Sequence, residues 1–435
     1  MNNQQLLNRS LNAVWHPCTQ MKQHETLPLI PISRGDGVWL TDIENKKYLD
    51  AVSSWWVNLF GHNNSRIKEA IKQQLDCLEH VMLAGFTHEP VVDLSEKLSH
   101  LTGLGHAFYA SDGASATEIA LKMSFHYWRN SGKPAKNKFI SLQNSYHGET
   151  LGALGVTDVA IFKDTYAPLL MQSAQMPSPD FRLAEKGESA EAFALRCAQV
   201  LEDYIAQYHA GLAAFIIEPL VQCASGMGMY DAIYIKRARE ICNRYHVHLI
   251  ADEIAVGFGR TGTMFACEQA QIKPDFICLS KGITGGYLPL STVLTTDEIY
   301  AAFYDDSTIK GFLHSHSYTG NPLACSAALA TLAIFETDDV INNNQQKTAA
   351  INEKMQVLTN LPIKNIRNKG MIWAFDVVAE NAGFATTCYQ QALQHGLLLR
   401  PIGKTVYFMP PYIINETEMD FMVNTTKLCI EQSYA

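Results

Sequence analysis

The sequence has no run long and apolar enough to span a bilayer: its longest apolar stretches, such as Gly211 to Ile217, fall far short of the roughly 20 residues required. Its amino terminus, MNNQQLLNRS, lacks the basic segment and apolar core of an export signal, so a soluble, cytoplasmic protein is expected, with no membrane partner. It has no block of Lys and Arg either. With 34 basic and 43 acidic residues the formal charge is −9, which leaves no electrostatic footprint for DNA or RNA. The ten cysteines include no C-x-x-C pair and mostly sit in apolar runs, so reduced, buried, non-ligating thiols are expected rather than a disulfide scaffold or a zinc site. There are no internal repeats and no low-complexity linkers. What is present is 435 residues, 47% hydrophobic and 18% charged, the composition of a globular enzyme of two domains.

From about residue 107 short apolar runs alternate with amphipathic stretches: HAFYAS, TEIALKMSFHYW, KFISLQ, AAFIIEPLV, IKRAREICNRY, HVHLIADE and DFICLSKG. That rhythm predicts an α/β domain over 61–334, a mostly parallel sheet covered by helices. After 335 the pattern changes to a polar stretch, a helix and the strand-like IWAFDVV and VYFMPPYII. A smaller α+β domain over 335–435 is predicted, completed by an amino-terminal segment, 1–60, through GVWLTD and KYLDAV.

In parallel sheets ligands lie beyond the carboxyl ends of the strands, and the chemistry-bearing residues fall there. Asp252 ends HVHLIAD, where burial penalises a carboxylate unless a cation faces it; Arg260 in GFGRTG or a protonated ring nitrogen could serve. Lys281, 29 residues later in LSKGITGG, sits in an apolar, glycine-rich setting that makes a lysine easier to deprotonate. An amine that condenses with an aldehyde and a carboxylate that keeps a pyridine nitrogen protonated are together what pyridoxal phosphate requires. In YASDGASATEIALKM (109–123) a small-residue turn enters a helix whose first amides can cradle phosphate, or which is simply capped by Ser or Asp. NSYHGET (144–150) offers Tyr146 as a face for a ring to stack on, or as a turn tyrosine. His314 and His316 in HSHSYTGNPLAC have no third partner at a metal-site spacing, so no metal is expected, and the hydroxyls of Ser317, Tyr318 and Thr319 suit a second phosphate contact. In SSWWVN (53–58) adjacent tryptophans cannot both face one core if the segment is extended, so one of them walls a pocket or both serve packing.

Together DEIAVGFGRTG, SKGITGG and HSYTGNP resemble the class III (omega) aminotransferases, a fold-type I pyridoxal-phosphate family, across nearly the whole chain. The resemblance implies that Lys281 binds the cofactor covalently, that Asp252 pairs with its ring nitrogen, that Gly113 and Ala114 hold its phosphate through backbone amides, and that Tyr146 borders ring and substrate. It also implies a homodimer in which Ser317, beside His316, completes the neighbouring subunit's phosphate site. WHPCTQM (15–21), SSWW, YHGET and RPIGKTVYFMPPYI (400–413) look like the branch of the family that serves biotin biosynthesis. That likeness implies 8-amino-7-oxononanoate as amino acceptor, with Trp55, Trp56, Tyr146, Ser315 and Cys18 at the substrate and Arg400 on its carboxylate. S-adenosylmethionine is the implied donor; lysine, or a different diamine or omega-amino acid, is the alternative. Two positions depart from the pattern: Cys18 stands where the family often has an aromatic residue, and Ser317 where threonine is common.

Overall fold

The computed structural model describes residues 2–27 and 29–433. They divide into two compact units: a smaller one of Met1–Ser65, Gln346–Ile366 and Ala374–Ala435, and a larger one of Arg66–Gln345 with Arg367–Trp373. The sequence-based boundaries at 60/61 and 334/335 compare with breaks at 65/66 and 345/346. Residues 367–373 join the larger unit because Arg367 donates to the carbonyls of Gly226 (2.6 Å) and Met227 (2.9 Å), and Met371 N donates to Arg260 O. No helix among the described residues is long and apolar enough to cross a membrane.

The larger unit is built on a seven-stranded sheet among the described residues: β1 His106–Ala110, β2 Lys138–Leu142, β3 Ala174–Met176, β4 Leu212–Ile217, β5 His248–Asp252, β6 Phe276–Leu279 and β7 Ser291–Thr295. Their order across the sheet is β1-β7-β6-β5-β4-β2-β3. Only β7 runs against its neighbours; β6-β5-β4-β2-β3 pair in parallel. This is the mostly parallel, helix-covered α/β architecture predicted from the alternating pattern. Strands β4 to β7 are buried at every residue, which is why they read as continuous apolar runs. Helix α1, Gly113–Asn130, packs Ala116, Ile119, Ala120, Met123 and Trp128 onto Ile216, Ile250, Phe276 and Val293 of the sheet. Removing each such large apolar group from water contributes about 1.5–3 kcal/mol, so this layer anchors the strand ends that carry the chemistry.

In the smaller unit Ile32–Asp36, Trp39–Asp42 and Lys47–Asp50 form an antiparallel meander, and Leu397–Leu398 joins Lys47–Asp50 in parallel. The amino-terminal strands thus pair with a strand from the carboxyl-terminal part of the chain. Eight of the ten free cysteines are buried, with Cys18 and Cys77 exposed.

Candidate active site

Five strand ends of the larger unit converge. Asp252 is the last residue of β5, the central strand, and is 4% exposed. Its Oδ1 accepts from Ile254 N at 3.1 Å, and its Oδ2 accepts from His147 Nδ1 at 2.7 Å. Asp252 therefore pairs with His147. His147 follows β2 and is itself tied down: its amide donates to Thr157 Oγ1 (2.9 Å) and its carbonyl accepts from Thr117 Oγ1 (2.8 Å). A buried carboxylate with a fixed imidazole behind it has its orientation set before any ligand arrives.

Lys281 follows β6 by two residues and opens a short 3-10 turn, Lys281–Thr284, at φ 47°. A non-glycine residue in the left-handed region costs on the order of 1–3 kcal/mol, and such strain gathers at functional positions. The side chain keeps an accessible surface, yet its surroundings are dense enough that desolvation holds its amine below the ordinary lysine value of 10.5; Cys223, Asp252 and Glu218 pull the other way. Less solvent around the amine means a larger unprotonated fraction near neutrality, which is the nucleophilic and basic form.

Gly113 and Ala114 open α1 and are partly accessible. Asp112 caps the helix by accepting from Ser115 N at 2.9 Å, which leaves the amides of 113 and 114 and the positive end of the helix dipole for an anion. Two glycines make that corner possible. A Cβ on Gly113 would press the Ile254 side chain at 3.0 Å, and one on Gly148, at φ 123°, would strike Ala114 Cβ at 2.6 Å. Tyr146 is half-buried in the same turn: its amide donates to Glu218 Oε2 (2.9 Å), its hydroxyl to Glu149 Oε1 (2.9 Å), and its ring meets Phe162 edge-on.

Glu218 and His147 are the functional neighbours that motif reading did not assign. Glu218 follows β4, is 5% exposed, and also accepts from Cys223 N at 3.2 Å. The signal was available: a carboxylate closing the apolar run AAFII, as Asp252 closes HLIA. Burial pushes the Glu218 carboxyl up to about 7, with His147 and the two amides opposing and Asp252 adding to the rise. Because this lies above the ordinary 4.5, the folded chain keeps a proton that the unfolded chain has released between pH 4.5 and about 7, so stability falls as pH rises through that window. In Glu218→Gln the fall is expected to flatten by up to one proton, read from urea unfolding at closely spaced pH values. An unchanged slope would show that this carboxyl ionises alike in both states. Glu253, beside Asp252, is structural: it is fully buried and accepts from the amides of Ala266 (2.7 Å) and Cys267 (2.8 Å).

The loop carrying Ser315 and Ser317 leaves both serines exposed. His314 and His316 lie Nε2 to Nε2 at 3.1 Å, and His314 Nδ1 accepts from Lys122 Nζ at 2.7 Å. The remaining expected residues belong to the smaller unit. Residues Ser53 to Trp56 are not extended; all four have positive φ, between 47° and 73°, and form one left-handed turn. That fold of the chain costs about 1–2 kcal/mol per residue and separates the two indoles. Trp56 is buried and donates from Nε1 to Tyr407 Oη at 3.1 Å, whereas Trp55 is 42% exposed and carries the Arg400 guanidinium over its ring at 4.6 Å. Cys18 is exposed at φ 53° after the first helix, Asn3–Ala13.

An amine with a depressed pKa, a buttressed carboxylate and the amides at a helix start are three groups of different character on one sheet edge. They match, in turn, the aldehyde, the ring nitrogen and the phosphate of pyridoxal phosphate. The residues present fit that group.

A family profile described as aminotransferase class-III matches residues 20–430. The adenosylmethionine-8-amino-7-oxononanoate aminotransferase of Helicobacter pylori is 47% identical over 417 residues, spanning 94% of this chain and 94% of that protein. The Aquifex aeolicus protein of the same name is 40% identical, over 96% and 95% of the two chains. The crystal structure of the Methanocaldococcus jannaschii protein of that name superposes with a TM-score of 0.94 at 36% identity, covering 100% of both chains. A PLP-bound amine transaminase from an uncultivated Pseudomonas species superposes at 0.92 with 32% identity, over 97% of this chain and 99% of that one.

Proposed function

The chain belongs to the class-III aminotransferase family, and on that premise we propose that it moves an amino group from S-adenosylmethionine to 8-amino-7-oxononanoate, forming 7,8-diaminononanoate for biotin synthesis. The observation that carries the chemistry is the meeting of Lys281, the Asp252–His147 pair and the start of α1 on one sheet edge. The substrates are those in the names of relatives that match nearly end to end.

Bound pyridoxal phosphate supplies an aldehyde carbon that accepts amines and a ring that takes up the electrons released when a proton leaves the amino-bearing carbon. Lys281 Nζ would hold that aldehyde carbon at rest and, when freed, would move a proton from the donor's amino-bearing carbon to the cofactor's own carbon, and in the second half-reaction from that carbon to the acceptor's. Asp252 faces the ring nitrogen with a negative charge, and His147 keeps that carboxylate aimed by donating from Nδ1. Gly113 and Ala114 bind the phosphate through their amides, and Tyr146 borders the ring. Arg400 receives the acceptor's carboxylate, a task for which a planar guanidinium suits better than an ammonium. Trp55, with Trp56 behind it, lines the aliphatic chain, and Ser315 and Cys18 contact substrate.

The working form in this reading is a cytoplasmic homodimer, with Ser317 and His316 of one subunit completing the phosphate site of the other. What supports it is the apolar surface of the larger unit: Phe125, Ile309 and Leu313 are exposed around an open groove of about 690 Å³.

The test is to feed the purified enzyme 8-amino-7-oxononanoate with either S-adenosylmethionine or lysine and follow diaminononanoate. Product is expected with S-adenosylmethionine; turnover with lysine alone would overturn the choice of donor. Failure with both, alongside good activity on another diamine or omega-amino acid, would overturn the acceptor as well.

A further inference from the structure

Four consecutive non-glycine residues in the left-handed region need an unusual support, and in the smaller unit that support is Asp50. It is fully buried, and its carboxylate accepts from the amides of Val52 (3.3 Å) and Ser54 (3.0 Å), from Ser54 Oγ (2.7 Å) and from His62 Nε2 (3.0 Å). The turn closes on itself through Trp56 N to Val52 O (2.8 Å) and Val57 N to Ser53 O (3.0 Å), and Ser53 Oγ ties it to Met409 O at 2.7 Å. His62 is seated in turn by Gly35, where a Cβ would strike it at 2.6 Å, and by paired backbone bonds with Gly37.

If turning the chain were the whole purpose, glycines would do it without strain. Serines and tryptophans here hold one particular side chain in one particular place, and that side chain is Trp55, the platform under Arg400. Stacking engages the face of a guanidinium and leaves its N–H edge for a carboxylate. A platform that moved would let the long arginine side chain recover its rotamer freedom, and the carboxylate would then have to order it on arrival.

We propose that Asp50 and His62 are positioning residues for the acceptor: by locking the left-handed turn at Ser53–Trp56 they hold Trp55 beneath Arg400 and so set the enzyme's preference for a carboxylate-ended substrate. The proposal rests on the reading of Arg400 as the carboxylate's partner, and the two are separable.

The experiment compares kcat/KM for 8-amino-7-oxononanoate with that for its methyl ester, using the holoenzyme and its variants. Arg400→Ala is expected to lower the acid-to-ester preference by about 100-fold, as loss of one partner of a desolvated charge pair does. Asp50→Asn is expected to lower the same preference by about ten-fold through misplacement alone. The Asp50→Asn, Arg400→Ala double variant should fall no further than Arg400→Ala, since both act on one contact. Ser54→Gly, which tolerates the turn's φ yet loses the Oγ contact to Asp50, should show a smaller loss in the same direction and decides the matter if Asp50→Asn does not fold. Equal losses on acid and ester in Asp50→Asn and Ser54→Gly, or an additive double variant, would reduce Asp50 to a structural role and overturn the proposal while leaving Arg400's role intact. An unchanged preference in Arg400→Ala would overturn the reading of Arg400, and this inference with it.

Discussion

Transamination in the Lys281→Ala protein is expected to fall by at least about 10⁴-fold, because in the proposed reaction one amine both carries the cofactor and moves the proton at carbon. Borohydride treatment should no longer fix cofactor mass to the peptide containing residue 281. The fold should survive, since alanine meets the same φ of 47° as lysine does. Circular dichroism and thermal unfolding of the cofactor-free protein check that point. Covalent attachment persisting at another lysine, with activity, would show that the reactive amine lies elsewhere.

Asp252→Asn is the second large effect. The amide has the carboxylate's shape, so β5 and its register with β6 at Asp252 and Cys278 should stand. What disappears is the negative charge paired with His147, which in the proposed reading also serves the ring nitrogen. Breaking a buried charge pair costs roughly 3–5 kcal/mol, which corresponds to about 10²–10³-fold in rate if the charge is needed in the transition state. Single-turnover kinetics at saturating pyridoxal phosphate separate this from weak binding. Full recovery of rate on saturation would mean that Asp252 serves affinity alone.

Much of this site was legible in the chain because its parts announce themselves locally. Asp252 and Lys281 each end an apolar run that can only be a buried strand, and a charged group at such an end must have a partner or a task. The small-residue turn before Thr117 marks a helix start whichever way the helix packs. Glu218 carried the same kind of signal as Asp252 and was passed over because no motif drew attention to it. Strand β7 was also missed: STVLT reads like its neighbours, and nothing in it states that it runs the opposite way.

Other features had no local signal. His147 lies 105 residues before Asp252, and Arg400 far along the chain from Trp55. SSWW contains no glycine, so its left-handed turn is written not in those four residues but in the carboxylate of Asp50 and in the space Gly35 leaves for His62.

By itself, then, the amino-acid order determined which strands are buried and which residues sit at their ends, because apolar periodicity and turn chemistry act over a few neighbours. Tertiary structure alone decided the lateral order β1-β7-β6-β5-β4-β2-β3, and with it that an imidazole stands behind Asp252 and a second carboxyl lies near it. It alone set the strained backbone that parts Trp55 from Trp56. The reason is physical: pairing between strands and support for a strained turn depend on groups distant in the chain, whose meeting is settled by how the whole core packs.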